Sequence, residues 1–507
     1  MSKGRRTIGR RIGLRAGTAA ARVSFGAAVA WSISSISPAL AQGDANQPSS
    51  DKLTAAPAAS DAPDPGFFTG LFGESRGNLL GDMGGLRTAL GNHGISLDAV
   101  ETSELFGNVS GGVRRGFEYD GLTTATLGID TDKAFGWEGG QFNVSALQIH
   151  GRNLSADNLA NLQTASGIES SRATRLWELW YQQEFLGGDA DVKIGQQSVD
   201  QEFMGSQYSA LFVNTMMGWP MLPSADLYAG GPAYPLSSPG IRLRAHPTKS
   251  LTVLAGVFDD NPPGGPFSGD PQTLGAEKSG TKFNLNTGAL VLGEIQYAVN
   301  QPALGDMATV DQKTGLPGTY KLGFWYDTAA FPDQRYDTAG VSLASLATNG
   351  NPRSDRGNFS IYGVFDQTVL QTDPNDPQSV GIFARAMGSP GDRNLIDFSL
   401  NTGVNLKAPF AGRDDDTFGV GYGLAKVGSG ASGLDRDTNA FGGGPIPVRS
   451  LEHFIEVTYQ YQVAQWWQVQ PDFQYVFNPG AGVVNPNNAA QRLGDEAIIG
   501  VRTNITF

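Results

Sequence analysis

Glu452 and Glu456 are the two acidic residues whose spacing comes nearest to a catalytic pair. Successive side chains of a β-strand point to opposite faces, so two residues four apart on a strand share one face. Glycoside hydrolases use a pair of carboxylates, but they also need an enclosed cleft and further groups around the bond that breaks. The sequence around this pair supplies no such groups, so we expect it to provide general polarity and not catalysis.

No other set of residue types indicates an enzyme or a metal site. The acidic run 414–416 leaves calcium as an alternative, but it lacks the pattern of a calcium-binding loop. The net charge of −13 argues against nucleic acid, which requires a basic face. We expect no cofactor, no metal and no nucleic-acid partner, because the chain has no cysteine and its four histidines lie far apart without ligand spacing: His93, His150, His246 and His453.

The polar residues alternate with apolar ones over much of the chain. Arg242 and Arg244, for example, interrupt Ile241, Leu243 and Ala245. Each such stretch predicts a β-strand with one apolar and one polar face. Between turn-forming runs of Asp, Asn, Pro and Gly, the same period of two recurs in residues 251–257, 291–297, 320–326, 455–461 and 469–477.

The two ends of the chain indicate where these strands would lie. The last eleven residues alternate, and their apolar parity ends on Phe507, as the closing strand of a bacterial outer-membrane barrel does. The first 41 residues contain seven Lys or Arg and no acidic residue. Within this segment the basic residues are followed by a short apolar stretch and then by a cleavage site made of small residues. This pattern predicts a secretory signal peptide, cleaved between Ala41 and Gln42.

Two alternatives exist for this N-terminal segment. A membrane anchor would need about 20 apolar residues, which is more than the stretch contains. Two Arg pairs also fit a twin-arginine signal, but a barrel that folds in the outer membrane must leave the cytoplasm unfolded. Cleavage at the predicted site would leave a mature chain with a net charge of about −20.

The composition of the remaining chain excludes a helical membrane protein. No long apolar run follows the signal, and the mean hydropathy is −0.23. Among membrane proteins only a β-barrel has such values, because lipid-facing and lumen-facing residues alternate. The residues from Ile95 onward accommodate about 14–18 strands of roughly 9–11 residues each. We predict an all-β fold, a transmembrane antiparallel β-barrel of about 16 strands over residues 95–507.

Two segments separate the signal from the barrel. Residues 42–66 are rich in Ala, Pro, Ser and Asp and are expected to form a disordered leader. Residues 67–94 are expected to contain a short amphipathic helix, which would either plug the periplasmic mouth or pack on a turn. The basis for this helix is a set of apolar residues at helical spacing before a glycine that can end it: Leu79, Met83, Leu86, Leu90 and Gly91.

A series of short motifs, specific only when taken together, runs from about residue 95 to the end of the chain. They lie at 177–185 (WELWYQQEF), 192–196 (VKIGQ), Phe203, 212–214, 239–244 (PGIRLR), 256–259, 320–327 (YKLGFWYD), 362–367, 452–460, 466–476 (WWQVQPDFQYV) and 478–480. With these motifs the chain resembles the carbohydrate-selective porin family, of the OprB type.

The resemblance implies a sixteen-stranded barrel in the outer membrane of a Gram-negative bacterium. Through it, monosaccharides such as glucose and small polyols would diffuse passively into the periplasm. The resemblance implies no catalytic residue. It also implies that inward loops narrow the lumen and that charged and aromatic groups, arginines prominent among them, line it.

The side chains that suit such a passage can be selected by their position along each predicted strand, since alternate residues face the lumen. A sugar needs hydrogen-bond partners for its hydroxyls and aromatic surfaces for its C–H face, and binding must stay weak. The predicted strands place the following candidates on the lumen side: Arg242, Arg244, Glu294, Lys321, Trp325, Glu452, Glu456, Gln468, Gln470, Gln474 and Arg502. A denser cluster near the start of one strand is the candidate constriction: Arg172, Arg175, Glu178 and Trp180.

Each of these assignments has a plainer alternative. Arg242 and Arg244 could balance lumen carboxylates in an ion-pair network, and Arg172 and Arg175 could lie in a loop or at the headgroup boundary. A register error of one residue would invert every lumen assignment. The tryptophans expected in the aromatic girdles at the membrane interfaces are Trp177, Trp466 and Trp467.

Other functions compete with a sugar channel. A general porin that selects by size alone is the main alternative. An outer-membrane hydrolase would need a Ser–His pair on the outer rim, and no nucleophile motif accompanies His246 or His453. A soluble lectin-like β-protein would be extracted without detergent. The expected partners are small sugars or polyols, outer-membrane lipids, and the barrel-assembly machinery acting through Phe507; monomer and trimer stay equally open.

Overall fold

The computed structural model describes residues 76–264, 278–300, 315–371 and 377–507. Within these ranges sixteen antiparallel strands form one closed barrel, and β1 pairs with β18 to close it. The barrel strands are β1 Ile95–Ser110, β2 Gly116–Asp130, β3 Gly140–Gly151, β4 Ala173–Phe185, β5 Ala190–Gln197, β6 Ser238–Thr248, β7 Leu251–Asp259, β8 Ala289–Val299, β9 Gly318–Asp337, β10 Pro352–Gln371, β11 Ser379–Gly388, β12 Ile396–Lys407, β13 Thr417–Val427, β14 Leu451–Ala464, β15 Trp467–Phe477 and β18 Glu496–Thr506. The predicted all-β barrel is confirmed.

The other elements are short and lie between the barrel strands. Strands β16 (Val484–Asn485) and β17 (Asn488–Arg492) form a separate small sheet ahead of β18. None of the helices in the described part of the chain is long and apolar enough to cross a membrane. The helices are α1 Leu86–Gly91, α2 Thr131–Phe135, α3 Leu154–Asn158, α4 Thr215–Gly218, α5 Met221–Asp226, α6 Ser429–Ala440 and α7 Pro479–Gly482, with 3-10 turns at Leu186–Gly188, Val199–Gln201, Ser209–Leu211 and Tyr228–Gly230.

The N-terminal helix is shorter than the sequence pattern suggested. The predicted signal peptide (1–41), leader (42–66) and residues 67–75 lie outside the described residues. Residues before Leu86 form turns, since Gly81, Gly84 and Gly85 adopt φ of 55°, 69° and 93°, a left-handed conformation that interrupts a helix. This segment lies against the end of the closing strand, where the Leu79 N–H donates to the Thr506 carbonyl at 2.8 Å.

The two faces of the barrel wall follow the alternation in the sequence. On β9 the outward side chains Leu322 and Phe324 are 62% and 45% exposed, whereas Trp325, the inward residue that follows Phe324, is fully buried. Apolar outward side chains recur in this way around the ring, which gives the wall the surface that lipid requires. The described connections are long at one end of the barrel, as at 152–172 and 198–237, and short at the other, as at 249–250 and 465–466.

We expect Leu322→Arg to destabilise the folded barrel by about 2–4 kcal/mol, because a charge on the lipid face must be desolvated near the middle of the wall. Thr126→Arg is the matched control, since Thr126 lies on the inward face of β2 in register with Asp98. Denaturant titration in lipid bilayers measures both variants. Equal stability of the two variants would contradict the assignment of the faces.

Candidate solute pathway

Loop 3 (residues 198–237) lies inside the barrel. The Met204 N–H donates to Glu294 Oε2 on β8 at 2.8 Å. The Ser206 hydroxyl donates to Asp366 Oδ1 on β10 at 2.6 Å, and the Val213 N–H donates to Glu456 Oε1 on β14 at 2.5 Å. A single segment can contact strands so far apart around the ring only from the interior. The inward fold of loop 3 therefore narrows the bore.

Arg385 on β11 is the wall residue that forms the most hydrogen bonds with loop 3 among the described residues. Its guanidinium is 1% exposed and donates to the carbonyls of Met204 at 2.9 Å, Met216 at 2.6 Å and Gly218 at 2.7 Å. It also donates to Asn401 Oδ1 at 3.1 Å on the neighbouring strand. Arg385 thereby ties the beginning of loop 3 to its middle and holds both against the wall.

Loop 2 (residues 152–172) is held inside the barrel in a similar way. Glu452 on β14 accepts the Leu162 and Gln163 N–H groups, both at 2.7 Å. The two loops also bond to each other, since the Thr215 N–H of loop 3 donates to the Thr164 carbonyl of loop 2 at 3.1 Å. The loops form one body that packs a buried apolar core inside the barrel.

An ion-pair network lies where loop 3 leaves β5. Arg242 on β6 pairs with Asp191 on β5 and with Glu202 of loop 3, and Lys193 also pairs with Glu202. Burial opposes ionisation of Glu202, but the Lys193 ammonium and the Arg242 guanidinium together lower its pKa to about 2. Arg242 thus belongs to an ion-pair network, which was the plainer of its two interpretations.

Other acids of the inward loops, Asp226 among them, have raised pKa values. Burial raises the pKa of Asp200 to about 7, against hydrogen bonds from the Ser198 hydroxyl and the Tyr234 N–H. Burial also raises the pKa of Glu169 in loop 2 to about 8, against hydrogen bonds from Ser155. Both loops therefore contain an acid whose neutral form is favoured near neutral pH.

The structure separates the lumen candidates into two groups. All the strand candidates lie on the inward face, but many of them are at most 3% exposed beneath loops 2 and 3 or within the wall: Arg175, Arg242, Glu294, Trp325, Glu452, Glu456, Gln470, Gln474 and Arg502. These side chains are sealed from a passing solute, and those with loop contacts act as anchors. The candidates that stay partly or fully exposed are Arg172, Glu178, Trp180, Arg244, Lys321 and Gln468.

The exposed group includes part of the predicted cluster. Arg172 lies in loop 2, one residue before β4, and is exposed. Glu178 accepts the Ser198 N–H at 2.9 Å and the Trp180 indole N–H at 3.3 Å. The Lys193 ammonium lies 4.3 Å from the centre of the Trp180 ring. The cluster thus brings cationic, acidic and aromatic groups together at the roots of both loops.

The interpretation of Trp177 as a girdle residue was wrong. Its ring lies edge-on to Tyr234 of loop 3, 6.4 Å between ring centres, and it packs on the interior core. The register of β4 against β3 shifts between Leu176 and Glu178, which turns residue 177 inward. Trp467 lies on the outward parity of β15 and donates to the Thr503 hydroxyl at 2.8 Å.

Sequence reasoning missed Arg385 and Asp366. The inward parity of β11 reads Gly381, Phe383, Arg385 and Met387, which looks apolar because it packs against loop 3 and not against water. The available signal was that Arg385 is the one charged residue in its strand.

A closed barrel with an apolar outer wall and loops folded into its lumen defines an outer-membrane porin. The family model of the carbohydrate-selective porins (OprB family) matches residues 114–507. The chain therefore belongs to the carbohydrate-selective porin family, and the predicted resemblance is confirmed. It is a passive carbohydrate channel of the Gram-negative outer membrane and not an enzyme.

Similar proteins agree with this family. Porin B of Pseudomonas aeruginosa is 27% identical over 435 residues, which are 81% of this chain and 88% of that protein. A putative porin, QuiX, of Acinetobacter baylyi is 24% identical over 442 residues, 83% of this chain and 92% of that protein. The high-pH structure of Pseudomonas putida OprB has a TM-score of 0.72 at 23% identity and covers 86% of this chain and all of that one.

We expect Arg385→Leu to release loop 3, because it leaves several buried carbonyls without donors at about 1–3 kcal/mol each. Single-channel conductance should rise by about half or more, with larger current noise. Arg385→Lys should restore part of the closed state, since an ammonium can still donate to some of the carbonyls. Unchanged conductance in a folded Arg385→Leu barrel would rule out the anchoring role.

The pH dependence of loop docking should follow Asp200 and Glu169. Their folded pKa values are raised, so the stabilisation they give is complete below the ordinary carboxyl pKa of about 4 and is lost progressively as the pH rises from there through about 7 to 8. We expect proteolysis of loops 2 and 3 to accelerate over this interval. The double variant Asp200→Asn and Glu169→Gln should flatten the profile, whereas a profile unchanged in that variant would assign the effect to other groups.

Proposed function

We propose that the channel passes monosaccharides such as glucose, and small polyols, in preference to larger sugars and to other solutes of similar size. The observation that carries the proposal is the inward fold of loops 2 and 3, which bond to wall side chains on β8, β10, β11 and β14. A bore occupied by two anchored loops favours small solutes. The polar groups left exposed beside the loops favour solutes rich in hydroxyls.

The pathway we propose runs beside the exposed lumen candidates. Arg172 and Lys321 offer donors to sugar hydroxyls, and Glu178 and Gln468 offer acceptors. Trp180 offers an aromatic surface to a C–H face on the side that Lys193 leaves free. Arg244 already bonds to Asp191 at 2.7 Å, so its contribution to solute contact would be smaller. Mixed donors and acceptors acting on an uncharged sugar give weak binding, which allows release.

Two further partners belong to the proposal. Outward side chains such as Leu322 and Ile361, 62% and 59% exposed, would contact the acyl chains of outer-membrane lipids. The strand that ends at Phe507 would be the segment read by the barrel-assembly machinery. Its outward apolar parity, with Ile499 and Val501 about two-fifths exposed, supports this interpretation.

Liposome swelling tests the solute preference. We expect glucose and glycerol to enter faster than an amino acid of similar size, and sucrose to enter slowly. Equal rates for neutral solutes of one size would favour a general size-selective porin. Swelling no faster than in empty liposomes, with barrel that is folded by gel shift, would overturn the proposal.

We expect Trp180→Ala to reduce the ratio of glucose to amino-acid influx about twofold to fivefold, because a C–H contact surface is lost. Ion conductance should change little. The matched control is Trp467→Ala, which removes a tryptophan from the outward face. A loss of the ratio in both variants would indicate a general effect on the barrel and not a sugar contact.

A further inference from the structure

A pair of buried carboxyl groups lies at the end of the barrel from which loops 2 and 3 leave the wall. Asp260 begins loop 4, which joins β7 to β8 and is described at residues 260–264 and 278–288. Asp327 lies on β9, in register with Leu290 near the start of β8. Both acids are fully buried, and their carboxyl groups lie within hydrogen-bonding reach of each other. The pair therefore joins the root of loop 4 to the wall.

Each carboxyl group of the pair has one bonded and one unbonded oxygen. Asp260 Oδ1 accepts the Thr287 hydroxyl at 2.7 Å, and Asp327 Oδ1 accepts the Ala329 N–H at 2.8 Å. The Oδ2 atoms of both acids are buried and have no hydrogen-bond donor among the described residues. A buried carboxylate oxygen is unfavourable unless a donor or a cation reaches it. Both Oδ2 atoms therefore need a further partner.

The surroundings of the pair do not neutralise it. The charges that act most strongly on the Asp327 carboxyl are those of Asp260 and Asp259, and both are negative. Lys282 lies in the same loop, but its ammonium donates to the Pro263 carbonyl at 2.6 Å. Two carboxylates in contact away from water repel each other, so both stay ionised only if a cation joins them. The alternative is a proton shared by the two acids.

Asp259 shapes the root of loop 4, and its own carboxylate is already bonded. It accepts the Asn284 side-chain amide at 2.8 Å and the Asn261 N–H at 3.1 Å. The Thr287 hydroxyl lies 3.3 Å from the same carboxylate, and Asn284 also donates to the Asn261 carbonyl at 3.0 Å. These bonds draw the two ends of loop 4 together, so Asp260 is held in a fixed position.

Gly288 provides the space in which the Asp260 carboxylate lies. A Cβ placed on Gly288 would lie 2.5 Å from Asp260 Oδ2 and 2.9 Å from its Cγ. Gly288 does not adopt a positive φ, so the glycine serves this close approach and not a left-handed turn. The unbonded oxygen of Asp260 is therefore packed against backbone on one side.

We propose that Asp260 and Asp327 bind a divalent cation, Ca²⁺, at the root of loop 4. The described residues contain no group of three or more Asp, Glu, His or Cys side chains that could hold a metal, so the two carboxylates would supply the charge and neutral oxygens and water the rest. The Asn261 amide oxygen, which is buried without a donor, is one such neutral oxygen. Ca²⁺ accepts about six to eight oxygens in a flexible geometry, whereas Mg²⁺ requires a nearly regular octahedron.

The cation joins three parts of the channel. Asp327 belongs to β9 and Asp260 to loop 4, and loop 3 packs on the following stretch of β9 through Tyr228. The Tyr228 ring stacks on Phe331 with 5.0 Å between ring centres, and its hydroxyl donates to the Ala330 carbonyl at 2.5 Å. Calcium at this point stiffens the entrance of the channel without contacting the exposed groups of the proposed solute pathway.

Calcium binding to the purified barrel, refolded metal-free in detergent, tests the proposal. Equilibrium dialysis with radioactive calcium measures the number of sites and their affinity. We expect one Ca²⁺ per wild-type chain, with half-saturation below about 1 mM. Asp260→Asn and Asp327→Asn should each lower the affinity at least about tenfold. The control Asp414→Asn, which removes an exposed acid from the run 414–416, should bind as the wild type does.

The unfolding temperature, measured by heat-dependent gel mobility, gives an independent readout. Saturating Ca²⁺ should raise the unfolding temperature of the wild type by about 3 °C or more. Asp260→Asn should show no such shift, and with a chelator present it should unfold no earlier than the wild type, because an amide can donate to Asp327. Gly288→Ala keeps both acids and should also weaken calcium binding, since its methyl group meets Asp260 Oδ2.

Two results would overturn the proposal. One is a folded wild-type barrel that binds no stoichiometric Ca²⁺ and whose unfolding temperature does not respond to it, which would leave a proton shared by Asp260 and Asp327. The other is binding that persists in Asp260→Asn and Asp327→Asn but is lost in Asp414→Asn, which would place the ion at the exposed run.

Discussion

The backbone of loop 3 runs through the inside of a closed barrel, where each buried peptide group needs a hydrogen-bond partner. The inward side chains of the wall supply those partners. Glu294, Asp366 and Glu456 accept peptide N–H groups or a hydroxyl from the loop, and Arg385 donates to its carbonyls. The acceptors and donors come from strands on different sides of the ring. They therefore fix the position of loop 3 and also provide hydrogen-bond partners for its buried peptide groups. The width of the channel depends on this arrangement.

Because of this constraint, a polar side chain on the inward wall is not necessarily exposed to water or to a solute. In a wide water-filled barrel an inward Glu or Arg would be solvated and available to a solute. Here Glu452 and Arg502 are fully buried, and they hold loop 2 or bond to it. The inward groups that stay exposed are fewer, and among them Glu178 and Trp180 lie at the roots of the loops. We therefore propose that selectivity resides in the geometry of the anchored loops together with a small number of exposed side chains.

The outward wall follows a separate physical rule. Its side chains are mostly apolar because lipid offers no hydrogen bonds, and the alternation of the strands delivers this surface without any long apolar run. On β1 and β3 the outward side chains of Glu101 and His150, 3.5 Å apart, depart from that rule.

The sequence determined the barrel, a strand number of about 16 and the face on which most strand residues lie, because alternation with period two is a local property of the chain. The same reasoning placed Arg242, Glu294, Glu456 and Gln474 on the inward face. Only the tertiary structure decided which inward residues are anchors and which are exposed. Val213 and Glu456 lie 243 positions apart, and no local pattern encodes their hydrogen bond. A shift of register at Trp177 and the turns at Gly81, Gly84 and Gly85 were likewise settled by backbone geometry, since the side-chain pattern alone fits either outcome.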